Sequence, residues 1–469
     1  MFPFISTMIV LSVVAMAVTA LADKKHSRLI ATAAALMMLL LVLAMLGISL
    51  GSGSASFSES YPYISSLSLS IGFRVGASSL VLLLMSSIVL VVTAFSGNPE
   101  CCKPKAGSML TELFQIAAIG LFSSSNLFVF LVFWSIGVVV MFLMINVLGG
   151  ANRVHASMSF MAYEAFAAAL ILFGVLMLCF HTPLHSFDIQ YITANSGSIA
   201  QTTQTLVFAV LFVAFMAGMP IFPMHFWFSE AHAEAPTQGS MMLSVFTQFG
   251  AFGMLLLFTM LPIASKYAGL VAALATFSAV YSALVLIGQR EIKRIVASSS
   301  MVGAALVLLG ISAANGMGTS GALYLMLSQG LAASLLFLVA GSIKQIFGER
   351  DIRLLKGVVI DARATAYTFV AGALALSGFP LTASFIGYLL VFMGSVQAFG
   401  AYGVVALLAP LLMGAFMYSV ISKSVLSAKG RSSSVDAIGG SQHLGYALLL
   451  VAILLFGVLP FVLLGLMKM

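Results

Sequence analysis

The stretch at 219–239, MPIFPMHFWFSEAHAEAPTQG, holds three prolines, two histidines and two glutamates in 21 residues, in a chain with only 13 acidic residues. Histidine changes charge near neutral pH and glutamate can store a proton when its environment is dry. His225, His232 and Glu234 therefore have the chemistry of a proton relay. The prolines give a second reading. Pro220 and Pro223 remove backbone donors and break helical pairing. Away from water the freed carbonyl and amide groups need partners, and polar side chains at a turn supply them. Proton entry and a satisfied polar turn both fit these residue types.

The elements that must hold this stretch are membrane spans. The chain is 61% hydrophobic and 7% charged, with a mean hydropathy of +1.15, against about 25% charge in a soluble domain. Apolar runs long enough to cross lipid predict an all-α membrane protein of 14 helices. They lie at 3–22, 29–50, 75–96, 107–123, 126–148, 156–181, 204–224, 240–262, 267–288, 292–313, 320–343, 365–395, 399–422 and 443–467. The segment 3–22 has no basic leader and no cleavage pattern, so it reads as a span rather than a signal peptide. Cys101, Cys102 and Cys179 lack the spacing of a zinc or disulfide framework and read as free thiols. No haem, iron–sulfur or nucleotide fingerprint occurs. No metal is expected, and no cofactor in this chain; any redox cofactor belongs to partner subunits. The net charge of +7 bears on orientation, not on nucleic acid.

With 14 spans and the termini outside, 17 of the 20 Lys and Arg fall in inner loops, leaving Arg74, Lys266 and Lys468 outside. This is the positive-inside pattern. Two spans are interrupted, the seventh at Pro220 and Pro223 and the twelfth at Gly378 and Pro380. They are five spans apart, an odd offset that inverts the second copy. Paired interruptions point to inverted repeats with a site near the breaks. The expected organisation is 1–106 (helices 1–3), 107–262 (a first five-helix unit), 263–426 (a second five-helix unit) and 427–469 (helix 14).

Several motifs, in order, carry a resemblance. GMPIFPMHFWFSEAHAEAPTQGS (218–240) resembles KMPxxPxHxWLPxAHxxAPTxxS, the signature of antiporter-like membrane subunits of respiratory complex I, shared with Mrp antiporters and membrane-bound hydrogenases. QREIKRIVASSSMVG (289–303), GLAASLLFLVAG (330–341), GERDIRLLKG (348–357) and GFPLTASFIGYLLVFMGS (378–395) resemble the segments that follow. The M-type, chain-4-like subunit is most similar. The resemblance covers at least 204–426. It implies 14 helices, inverted five-helix repeats and outer termini. It also implies an inner (plasma) membrane setting among the other membrane subunits of a proton-translocating, NADH:quinone- or hydrogenase-type oxidoreductase.

The resemblance also implies a buried line of titrating Lys, Glu and His, and here this chain departs. The matching positions are Ser135, Gly218, Gln248, Gly303, Gln329 and Tyr388. Gln248 and Gln329 can hold water but cannot store a proton. Two acids remain inside spans, Glu164 in helix 6 and Glu112 in helix 4. Intramembrane ionisable groups usually mark function, so Glu164, Glu112, His232, Glu234, Gln248 and Gln329 are the candidate proton path. Three functions remain open: a proton-translocating subunit, a non-pumping structural subunit of such a complex, and a stand-alone cation/proton antiporter.

Overall fold

The computed structural model describes residues 3–53, 56–64, 69–96, 103–427 and 439–467. Cys101, Cys102, Lys429, Arg431 and Lys468 lie outside the described residues. In chain order the elements are α1 (Phe4–Leu21), α2 (Lys24–Ser52), β1 (Phe57–Ile64), β2 (Leu69–Val75), α3 (Ala77–Phe95), α4 (Pro104–Ser123), α5 (Leu127–Leu148), α6 (Arg153–His181) and α7 (Ile189–Asn195). There follow α8 (Gln201–Gly218), α9 (Phe226–Glu234), α10 (Thr237–Met260), α11 (Ala264–Ile287), α12 (Ile292–Ser312), α13 (Gly316–Phe347), α14 (Val358–Asp361) and α15 (Arg363–Leu376). The chain closes with α16 (Ala383–Phe399), α17 (Ala401–Ala406), α18 (Leu408–Val420), α19 (Gly440–Val458) and α20 (Phe461–Met467).

Thirteen stretches among the described residues are helical, long and apolar enough to cross a membrane. The remaining expected span, 365–395, is the one that divides into α15 and α16, and neither half is long enough alone. The protein is thus a multi-pass membrane protein. α13, 32 residues long, runs through the middle, and its apolar window is wholly buried. It packs on α10, α12, α15, α16, α19 and α3. α1, α2 and α18 lie at the periphery and show Val and Leu side chains to the surroundings, as helices facing lipid do.

Both interruptions have visible backbone causes. α8 stops at Gly218, and the chain turns through Ile221 N–H donating to Met216 O (3.1 Å) and Met224 N–H to Ile221 O (2.7 Å) before α9 begins. α15 stops at Leu376, and Gly378 then takes φ +79°, a left-handed conformation that glycine tolerates. The Tyr388 ring lies where a Cβ on Gly378 would stand, so this glycine is required twice over.

Two features depart from expectation. The last span is not continuous over 443–467: α19 ends at Val458, and α20 restarts at Phe461 after Pro460, because proline has no N–H for the helical ladder. Residues 57–74, which carried no assigned element, and Val75, expected to open the third span, form an antiparallel hairpin pairing Phe57 with Val75 and Tyr61 with Ile71. Its Glu59 carboxylate caps α1, accepting from Ile5 N–H (2.8 Å), Ser6 N–H (3.0 Å) and the Ser6 hydroxyl. α1 has only Pro3 at its N-cap, so a distant acid satisfies donors that the helix start leaves free.

Candidate functional site

The break after α8 opens onto a small cavity. Met219 and Pro220 line it with Ser244, Thr247 and Gln248 of α10, Ser300 of α12 and Gln329 of α13. Its volume is ≈20 Å3, room for about one water. On the near side Gln248 Nε2 donates to Ser244 O (3.3 Å) and Thr247 Oγ1 (3.2 Å). On the far side Gln329 Nε2 donates to the Tyr388 hydroxyl (2.9 Å), and that hydroxyl donates to Leu376 O (3.0 Å) at the end of α15. Gln329 Oε1 is buried without a partner among the described residues. The two broken spans are therefore joined by one neutral polar line: Leu376, Tyr388, Gln329, the cavity, Gln248.

Three of the positions where the resemblance implied charge have close neighbours or a local hydrogen bond. A Cβ on Gly218 would meet Trp134 Cη2 at 2.5 Å, so the indole fills that space. A Cβ on Gly303 would run into the Gln329 amide. Ser135 donates to Leu131 O of its own helix (2.9 Å). Nothing in the line between Gln248 and Leu376 titrates near neutral pH.

The acids lie elsewhere and differ from each other. Glu112 is buried between α4 and α1, where Thr19 Oγ1 donates to it (2.7 Å); nearby, Gln115 Nε2 donates to Ser12 Oγ (3.0 Å). It fastens two helices and does not join the cavity lining. Glu164 is fully buried in α6, and neither carboxyl oxygen has a hydrogen-bond partner among the described residues. It shares a helix face with Phe160, whose ring meets Trp227 (5.0 Å) and Phe246 (5.5 Å). It too lies outside the cavity lining.

The AHAEAP segment closes the end of the bundle that carries the basic loops. His232 is buried, stacked on Phe337 at 4.3 Å, and neither ring nitrogen has a partner among the described residues. His225 sits apart, its ring against Phe226 and Tyr281. Glu234 Oε2 accepts from Asn152 N–H (3.1 Å) and lines a second, larger cavity. Lys293, counted in the sequence as a loop charge, is instead 7% exposed: its ammonium donates to Ala235 O (2.6 Å) and Ser240 Oγ (3.1 Å). The available signal was its place in the first turn of a span, three and four residues before the small apolar Val296 and Ala297 that share its face. The loop after α13 is pinned beside it, with Ile292 N–H donating to Arg350 O and Arg350 reaching Glu291 at 3.3 Å. In that loop Arg353 donates to Asp351 from its backbone and guanidinium (2.9 and 2.8 Å), holding the Asp351 carboxyl below its ordinary range.

Comparison with known proteins places this architecture. Residues 124–414 match the family model described as "NADH:quinone oxidoreductase/Mrp antiporter, TM". The chain is 30% identical over 354 residues to the NADH-quinone oxidoreductase subunit M of Rickettsia typhi, covering 74% of this chain and 71% of that one. It is 28% identical to the F(420)H(2) dehydrogenase subunit M of Methanosarcina mazei, covering 82% and 80%. Its fold matches a chain of respiratory complex I from Thermus thermophilus (TM-score 0.90, 22% identity, 99% and 98% covered) and one of the Mrp complex from Dietzia (TM-score 0.87, 18% identity, 99% and 96% covered). With most of its spans inside the matched region, the chain belongs to the NADH:quinone oxidoreductase/Mrp antiporter transmembrane family.

Proposed function

We propose that this chain is an antiporter-like membrane subunit of a complex I-type oxidoreductase, and that it translocates protons by a path that depends on Glu164. The relatives named subunit M support the assembly. The observation that carries the path is the contrast between the two buried acids. A structural carboxyl is expected to be tied to a donor, as Glu112 is to Thr19. Glu112 keeps one oxygen without a partner, but Glu164 has neither oxygen tied, and an unpartnered buried acid is costly to keep and commonly marks function. From the basic end of α6 it lies about 16 Å along the helix at 1.5 Å per residue. Gln248 and Gln329 hold water beside the path, and His232 and Glu234 form its inner mouth. The basic loops face inward and both termini outward, in the plasma (inner) membrane.

A second reading has its own observation. The line from Gln248 to Leu376 is neutral and encloses space for a single water, which suits a subunit that keeps the family fold without pumping. The deciding experiment is Glu164→Gln in the whole assembly, reconstituted in vesicles, with proton yield per electron measured beside the redox rate. A lowered yield at an unchanged redox rate is expected. An unchanged yield removes Glu164 from any path and leaves the non-pumping reading.

A further inference from the structure

We propose that the cavity at the basic end of the bundle is a binding site for a phosphate-type oxyanion, carried by a phospholipid headgroup or present as free phosphate. The cavity measures ≈340 Å3. Five cations frame it: Lys103 before α4, Arg153 at the start of α6, Lys293 in the first turn of α12, Lys344 in the last turn of α13 and Arg350 in the loop that follows. Glu234 is the one acid in the lining. Five basic side chains against one acid make the lining strongly basic.

A solvated basic face explains loop charge in general, but two observations separate this cavity from it. Four of the five cations make no ion pair among the described residues. Of the four ion pairs among the described residues, none includes Lys103, Arg153, Lys293, Lys344 or Glu234; only Arg350 is paired, to Glu291. Glu234 spends one oxygen on the Asn152 amide instead. The second observation is Lys293, an ammonium inside the protein. Two of its three donors are committed to Ala235 O and Ser240 Oγ, and the third is free for a ligand. Burying a cation among like charges is costly without a counter-charge.

The donors select the chemistry. Ammonium groups and the planar guanidinium of Arg153 match oxygens arranged around phosphorus. α10 adds its positive end: it opens at Thr237, which lines the cavity, without a side-chain cap. The lining has no aromatic ring on which a nucleobase would stack, so the phosphate group rather than a nucleotide is what the site recognises. The inference concerns binding alone and stands whether or not the chain conducts protons.

The test uses the full chain, purified and stripped of lipid in mild detergent. Affinity is read from thermal unfolding and native mass spectrometry, with inorganic phosphate in one arm and phosphatidylglycerol against phosphatidylcholine in the other. The pocket variant is Arg153→Gln with Lys344→Gln; Arg153 is exposed and neither side chain makes a hydrogen bond among the described residues. The control, Lys24→Gln with Lys25→Gln, removes the same charge outside the cavity, near the end marked by the Lys105 to Ala22 contact. Wild type and control should bind, and the pocket variant should bind at least tenfold more weakly. Should that double variant fail to fold, Lys103→Gln serves in its place with the same criterion. Binding in the phosphate arm alone assigns a soluble ligand, and binding in the phosphatidylglycerol arm alone assigns a headgroup. Binding in neither arm, or equal weakening in pocket and control variants, overturns the proposal.

Discussion

Tyr388 joins three elements through one hydroxyl, accepting from Gln329 on α13 and donating to Leu376 at the end of α15. Tyr388→Phe keeps the ring against Gly378 and removes both bonds. At about 0.5–1.5 kcal/mol per hydrogen bond, it should lower stability by roughly 1–3 kcal/mol in urea or thermal unfolding of the purified chain. Gly303→Ala acts on the same line from the other side. Its methyl group would displace the Gln329 amide, and overpacking of this kind costs about 1–3 kcal/mol. If the line is a unit, Gly303→Ala combined with Tyr388→Phe should cost less than the sum of the two. Simple addition of the two costs would show that Gln329 relaxes independently of Tyr388. The same packing bears on introducing a charge there: Gly218→Lys would have to evict the Trp134 indole.

Among the elements, the spans were legible and what joins them was not. Apolar length marks a helix in lipid directly, and the prolines and glycines at 220, 223, 378 and 380 fall where α8 and α15 have ended. The hairpin at 57–75 was hidden because its strands earn their place through contacts distant in sequence, Glu59 with α1 and Asn126 with Ser70 O at 3.2 Å. Lys293 was partly legible from the apolar face it shares with Val296 and Ala297, but its partners Ala235 O and Ser240 Oγ lie more than 50 residues away in sequence. The cap makes a prediction. Glu59→Ala should remove about 0.5–2 kcal/mol of local stability at the start of α1, read as faster hydrogen exchange at the Ile5 and Ser6 amides with α10 and α13 unchanged. Equal protection in the variant would mean that other donors or lipid headgroups suffice there.

At the scale of the whole molecule, the proposed orientation and the proposed inverted repeat stand together. An impermeant thiol reagent applied from outside should label a cysteine placed after Lys468 and miss one placed beside Arg353. The reverse pattern would put the basic cavity and the termini on the opposite sides from those proposed. If the chain divides into the expected five-helix units, 107–262 and 263–426, the broken spans take the fourth position of each, and the neutral line runs from one break to the other. That neutrality has an electrical consequence. Moving one elementary charge through the membrane does work of about 2.3 kcal/mol per 100 mV, whereas amide and hydroxyl groups carry no net charge to move. Rearrangement along Gln248, Gln329 and Tyr388 therefore draws almost nothing from the transmembrane voltage. The membrane potential thus has little hold on that neutral line; within the spans it can act only on ionisable groups in their charged forms, Glu112, Glu164 and Lys293 among them.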